Sequence, residues 1–117
     1  MSARPALARG DVVLVRFPFT DLSGLKLRPA LIVGRVSGDD VVLAFVTSQT
    51  APNQHRADVL LRAGDSEFVL AGLRVSSRVR LDRLVTLSRG LVIRRLGRIG
   101  PQTNTAVSDA LRYVFEL

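Results

Sequence analysis

Short apolar runs separated by turn residues dominate the first half of the chain and restrict what it can fold into. "DVVLVRF" (11–17) is nearly all apolar and β-branched, the make-up of a strand buried on both faces. "PALIVGRV" (29–36) and "VVLAFVT" (41–47) read as strands joined across "SGDD", a hairpin signal. "ADVLL" (57–61) adds a strand that ends at "RAGD". "SRVRLDRLVTLS" (77–88) alternates at first and loses phase at Arg83–Leu84, which predicts a β-bulge. "LVIRRLG" (91–97) fits a strand or a helical turn.

The end of the chain differs in kind. From Pro101 onward, Val107, Ala110, Leu111 and Val114 recur at helical spacing, with Gly100 and Pro101 suited to a helix start. Five to seven short strands closed by one C-terminal helix predict a mainly β fold, a small, strongly bent antiparallel barrel. At 117 residues this is one domain spanning 1–117, without repeats or linkers.

Hydrophobic residues make up 47% of the chain, so it is globular rather than disordered. The longest apolar runs are too short to cross a bilayer, and the N-terminus lacks an apolar signal region. A cytoplasmic protein with no membrane partner is expected. No cysteine is present, which excludes disulfides and thiolate metal sites, and the one histidine, His55, is too few for a zinc cluster. The net charge is +7, and of 17 basic residues only Lys26 is a lysine. A basic excess on so small a domain suggests a polyanion, and the planar arginine fork suits phosphate. Genome base composition accounts for arginine over lysine, though not for the excess of positive charge.

The loop "TDLSGLKLRP" (20–29) lies between two apolar strands and ends in Arg28 held against Pro29. A residue before proline is pushed to extended backbone, so Arg28 should open the second strand with its guanidinium projecting from the loop. It then offers paired donors to a phosphate, or stands as a solvated strand-end arginine. "FVTSQT" (45–50) ends a strand in Thr47, Ser48 and Gln49, phosphate donors or ordinary turn chemistry. In "SRVRLD", period two places Arg78, Arg80 and Asp82 on one face, as phosphate clamp and proton acceptor or as a solvated ion pair. His55 sits in a polar loop, where substrate contact ranks low. No phosphate-cradling glycine loop, nucleophile elbow or metal-ligand spacing occurs, so an enzyme of this sequence would work without metal or cofactor.

Together these segments resemble the MazF/PemK (Kid) family of toxin endoribonucleases. "GDVVLVRFPFTDLSGLKLRPALIVG" (10–34) is similar to the family's N-terminal block, and "FPFTDLSG" matches one branch of it. "FVTSQ" resembles its strand ending in Thr, a small residue and Gln. "GLRVSSRVRLDRLVTLSRGLVIRRLGRIG" (72–100) resembles its C-terminal half. The resemblance implies an SH3-like barrel working as a homodimer, with single-stranded RNA in a groove at the dimer interface. It implies metal-independent cleavage, in which a ribose 2′-hydroxyl attacks the neighbouring phosphate and leaves a cyclic phosphate and a 5′-hydroxyl. Arg28 falls on the arginine of the Arg-Pro motif and Thr47 on the active-site threonine. Arg80 and Asp82 fall on the Arg-x-Asp pair that PemK-like members use as acid and base. Arg78, Lys26, Ser48, Gln49, Asp21 and His55 are the expected RNA contacts. The resemblance also implies an acidic, MazE-like antitoxin whose disordered tail folds onto the toxin.

The chain departs from the pattern in two places. Many branch members carry an acid where Ser76 stands, and the loop from Thr20 to Leu27 has Asp21 as its only acid. Asp82 is therefore the first choice of proton acceptor and Asp21 the second. The rival readings are a non-catalytic barrel that binds nucleic acid, a gyrase poison of the CcdB type and a purely structural barrel. The tail "RYVFEL" and the lack of tryptophan do not resemble CcdB.

Overall fold

The computed structural model describes residues 6–21, 24–35, 38–49 and 55–117 and, of residues 19–21, 24 and 25, the backbone only. Six strands are present among these residues: β1 (Asp11–Asp21), β2 (Gly24–Arg35), β3 (Asp40–Thr47), β4 (Asp58–Leu61), β5 (Ser77–Ser88) and β6 (Val92–Arg98). One helix follows, α1 (Pro101–Phe115), and short 3₁₀ turns occupy Phe68–Ala71 and Arg89–Leu91. The strands form one antiparallel sheet in the order β4-β5-β3-β2-β1-β6. The mainly β architecture with a closing helix is as expected, but the barrel is open. β4 and β6 are its edges, and no ladder joins them among the described residues. No helix among the described residues is long and apolar enough to cross a membrane.

Both faces of the central strands are buried, as the unbroken apolar runs predict. Val12, Leu31, Ala44, Val79 and Leu81 pack with Val107 and Ala110 of α1. Their sequence neighbours Val13, Ala30, Ile32 and Leu43 pack on the other side with Val15, Phe17 and Leu87. Each of the valine, leucine, isoleucine and phenylalanine side chains among them contributes roughly 1.5–3 kcal/mol when fully buried. A sheet that is apolar on both sides draws little register information from patterning, so a polar anchor matters at its edge. Asp11, 1% exposed, accepts from the Ala8 N–H (2.9 Å) and from Arg98 Nη1 (2.8 Å), tying the start of β1 to β6.

One expectation needs correction. The segment 20–29 is not a loop before the second strand, because β2 begins at Gly24 and Lys26, Leu27 and Arg28 pair with Phe17, Arg16 and Val15. Arg28 therefore stands inside a strand. The β-bulge expected at Arg83–Leu84 is present: pairing with β3 jumps from Ala44–Leu84 to Phe45–Arg80, so the extra residues run from Leu81 to Arg83. Leu81 and Leu84 are three residues apart, and strict alternation would put them on opposite faces. The bulge lets both pack into the same core. "LVIRRLG" resolves into the end of a 3₁₀ turn and then strand β6.

Candidate nucleic-acid groove

Pro29 has no N–H to give to a ladder, so a central strand tolerates it only where a neighbour falls away. That is its position here. Pro29 still lies opposite Leu14 of β1, but the β2–β3 ladder stops at Ala30–Phe45. β3 continues past this point in register with β5, through Val46–Val79 and Thr47–Arg78. The two central strands thus split beyond Ala30 and Phe45, and Arg28 and Thr47 each stand two residues past the last pair, on opposite lips of the split.

A groove of about 850 Å³ occupies this opening. Phe17 and Phe45, with ring centroids 5.0 Å apart, lie at its base. Six basic side chains line it: Lys26, Arg28, Arg74, Arg78, Arg80 and Arg94. Thr47, Ser48 and Gln49 add hydroxyl and amide groups, and no carboxylate stands among the described lining residues. The Gln49 N–H donates to Thr47 Oγ1 (3.1 Å), a local turn that aims the hydroxyl and leaves its proton to donate.

The arginines are held unequally. Arg28 is exposed, and its Nη1 reaches its own neighbour, the Leu27 carbonyl, at 3.3 Å. Arg78 is fixed from behind by the buried Asp58, Nη1 to Oδ2 at 3.2 Å. The Nε atoms of Arg78 and Arg80 are buried and meet no hydrogen-bond acceptor among the described residues. Buried donors left open carry a desolvation cost.

The sequence-predicted residues are therefore only partly brought together. Lys26, Arg28, Thr47, Ser48, Gln49, Arg78 and Arg80 share the groove. Asp82 does not line it: it lies in a neighbouring depression with Arg56, Asp109 and Tyr113, and reaches Arg80 Nε only at 3.9 Å. The bulge explains this, since Asp82 falls where β5 is out of register with β3. His55 lines a further depression with Arg56, Asp58, Asp65 and Tyr113. In both of these depressions carboxylates stand among the arginines and Arg56 stacks 4.4 Å over the Tyr113 ring, so their charge is largely balanced. The side chain of Asp21 lies outside the described residues. Arg74, Arg94 and Asp58 were not legible as site residues. Arg94 is opposite Leu14 only through the β1–β6 ladder, and Asp58 meets Arg78 only through β4–β5 pairing.

No individually curated protein matches the sequence. Among solved structures, an endoribonuclease from mycobacterial species in complex with its cognate antitoxin superposes with a TM-score of 0.71 at 27% identity, covering 96% of this chain and 97% of that one. A second endoribonuclease from mycobacterial species gives 0.71 at 25% identity, over 96% and 93%. MazF from Deinococcus radiodurans shares the fold, with a TM-score of 0.68 at 21% identity over 93% and 96%. The family model that describes PemK-like, MazF-like toxins of type II toxin-antitoxin systems matches residues 8–115, and the chain belongs to that family.

Proposed function

We propose that this toxin is a metal-independent endoribonuclease that holds single-stranded RNA in the split between β2 and β3. The observation that carries the reading is the groove itself: among the described residues, six cations and four hydroxyl or amide side chains line it, and no carboxylate does. Such a surface suits a phosphodiester backbone, and its described lining lacks the clustered oxygen anions that a divalent ion requires.

In the proposed reaction a ribose 2′-oxygen attacks the adjacent phosphorus, and its proton passes through a bridging water to Asp82, which lies outside the groove lining, 3.9 Å from Arg80 Nε. Arg28 meets the charge that builds on the pentavalent phosphorus, with the Thr47 hydroxyl as a further donor. The P–O5′ bond breaks, and the leaving oxygen, stabilised by the Arg80 guanidinium, gains a proton from solvent. The products are a 2′,3′-cyclic phosphate and a 5′-hydroxyl. We assign the working form to a homodimer, supported by apolar side chains that a single chain leaves exposed near the groove, among them Leu27 and Val75. A cognate antitoxin with an acidic tail would compete for the same cations, its carboxylates replacing phosphates.

The test is cleavage of a long mixed RNA in excess EDTA, with end mapping of the products. Cuts with 5′-hydroxyl ends in single-stranded regions are expected, with duplex RNA left intact. Loss of all activity in EDTA, restored by magnesium, would sink the reading. RNA binding without cleavage under any condition would favour the non-catalytic barrel.

A further inference from the structure

One wall of the groove is held by a residue far from it. The N-cap of α1, Gly100, has no side chain with which to satisfy the first free N–H groups of the helix. Glu67 does so from a distant part of the chain. Its Oε2 accepts from the Gln102 N–H (3.0 Å), and its Oε1 accepts from the Thr103 N–H (2.9 Å) and Thr103 Oγ1 (2.9 Å). A carboxylate in this place also meets the positive end of the helix dipole. Gly100 is what admits it, because a methyl group there would collide with the Glu67 carboxylate.

From Glu67 the chain runs through the 3₁₀ turn Phe68–Ala71 to Gly72, whose left-handed φ of 73° suits glycine. Gly72 lies directly on the Leu96 carbonyl of β6, where no Cβ would fit. The next residues, Leu73, Arg74 and Val75, line the groove. Apolar packing holds this segment in part, with Ala71 buried and Phe68 and Leu73 against the core, while Val69 and Leu70 are 78% and 51% exposed. The polar clamp at Glu67 adds a second anchor at its start.

We propose that Glu67 is a positioning residue for the groove, clamping residues 67–76 to the start of α1 so that Leu73, Arg74 and Val75 form a fixed wall. The inference rests on the groove as the RNA site, and it gives Arg74 its role: a cation held ready at a set place instead of swinging on an exposed segment. An RNA strand then finds one wall already ordered, which lowers the entropic cost of binding.

The experiment compares wild type with Glu67→Gln and with the milder Thr103→Val, which removes the hydroxyl donor and keeps the N–H. Glu67→Gln should raise KM for a single-stranded RNA about tenfold with kcat little changed, as expected when charge-assisted bonds that order a binding wall are lost. Thr103→Val should move KM the same way by less. Backbone amides of residues 72–76 should exchange faster in both variants, while those of Leu31, Leu43 and Val79 stay protected. Arg74→Ala should cost less in the Glu67→Gln background than in wild type. The proposal is overturned if both variants melt lower yet keep wild-type KM and wild-type exchange at 72–76. It is equally overturned if Arg74→Ala costs the same in both backgrounds. Should wild type fail to cut RNA, the catalytic reading falls, and the exchange measurement still decides the clamp.

Discussion

Arg78 and Asp58 form an ion pair 3.2 Å long, with the arginine side chain 13% exposed and the aspartate 2% exposed. It joins β4 to β5 behind the groove and points a guanidinium forward into it. A buried pair of this kind is costly to break by halves, because the survivor keeps its charge without a partner.

Asp58→Ala should therefore cost about 3–5 kcal/mol of stability. Replacing both partners, as in Asp58→Leu with Arg78→Met, should recover most of that loss and still leave RNA binding weak. Chemical denaturation beside RNA titration reads both effects. Equal instability in the single and double variants would show that the pair is not what holds β4.

Arg28 stands at the lip of the β2–β3 split, and among the described residues its guanidinium hydrogen-bonds only the Leu27 carbonyl, so little folding energy depends on it. Arg28→Lys keeps the charge and loses the fork, and a cleavage rate lower by about 10²-fold is expected with an unchanged melting temperature. Single-turnover kinetics check this, and a lysine variant at the wild-type rate would remove Arg28 from transition-state stabilisation.

Asp82 is exposed and loosely paired, 3.9 Å from Arg80. As proton acceptor it should be essential to rate and dispensable to folding. Asp82→Asn is expected to abolish most cleavage while RNA affinity holds or tightens, since a negative charge beside Arg80 is gone. If that variant stays active and Asp21→Asn is dead, the role moves to the β1–β2 hairpin.

The Glu67 carboxyl is held below its ordinary value near 4.5, chiefly by the Thr103 N–H and then by that of Gln102. A depressed carboxylate adds stability that is fully present above its unfolded pKa and lost as pH falls through the lowered folded value. Thermal melts run from neutral pH downward should show part of the acid destabilisation starting below about pH 4.5. Glu67→Gln should lower the melting temperature at neutral pH and flatten that part of the profile. A variant whose acid profile parallels wild type would remove Glu67 from the titration.

The strands and the helix were legible because their signals are local. Unbroken valine and leucine runs can hide only in a sheet covered on both faces, and Val107, Ala110, Leu111 and Val114 share one helical stripe. Arg28 and Thr47 were legible through their short motifs, Arg-Pro and Thr-Ser-Gln. The proline pointed to extended backbone at Arg28, although not to a β2 that already runs from Gly24. What tertiary structure alone decided is which distant groups meet. Asp58 reaches Arg78 across a strand pair, Arg94 comes to the groove on β6, and Glu67 caps a helix that begins at Pro101. None of these leaves a local trace, because a hydrogen bond depends on position in space and sequence patterns report only near neighbours. Asp82 shows the reverse case. Alternation placed it beside Arg78 and Arg80, and a bulge needed to bring Leu81 and Leu84 into one core turned it out of the groove.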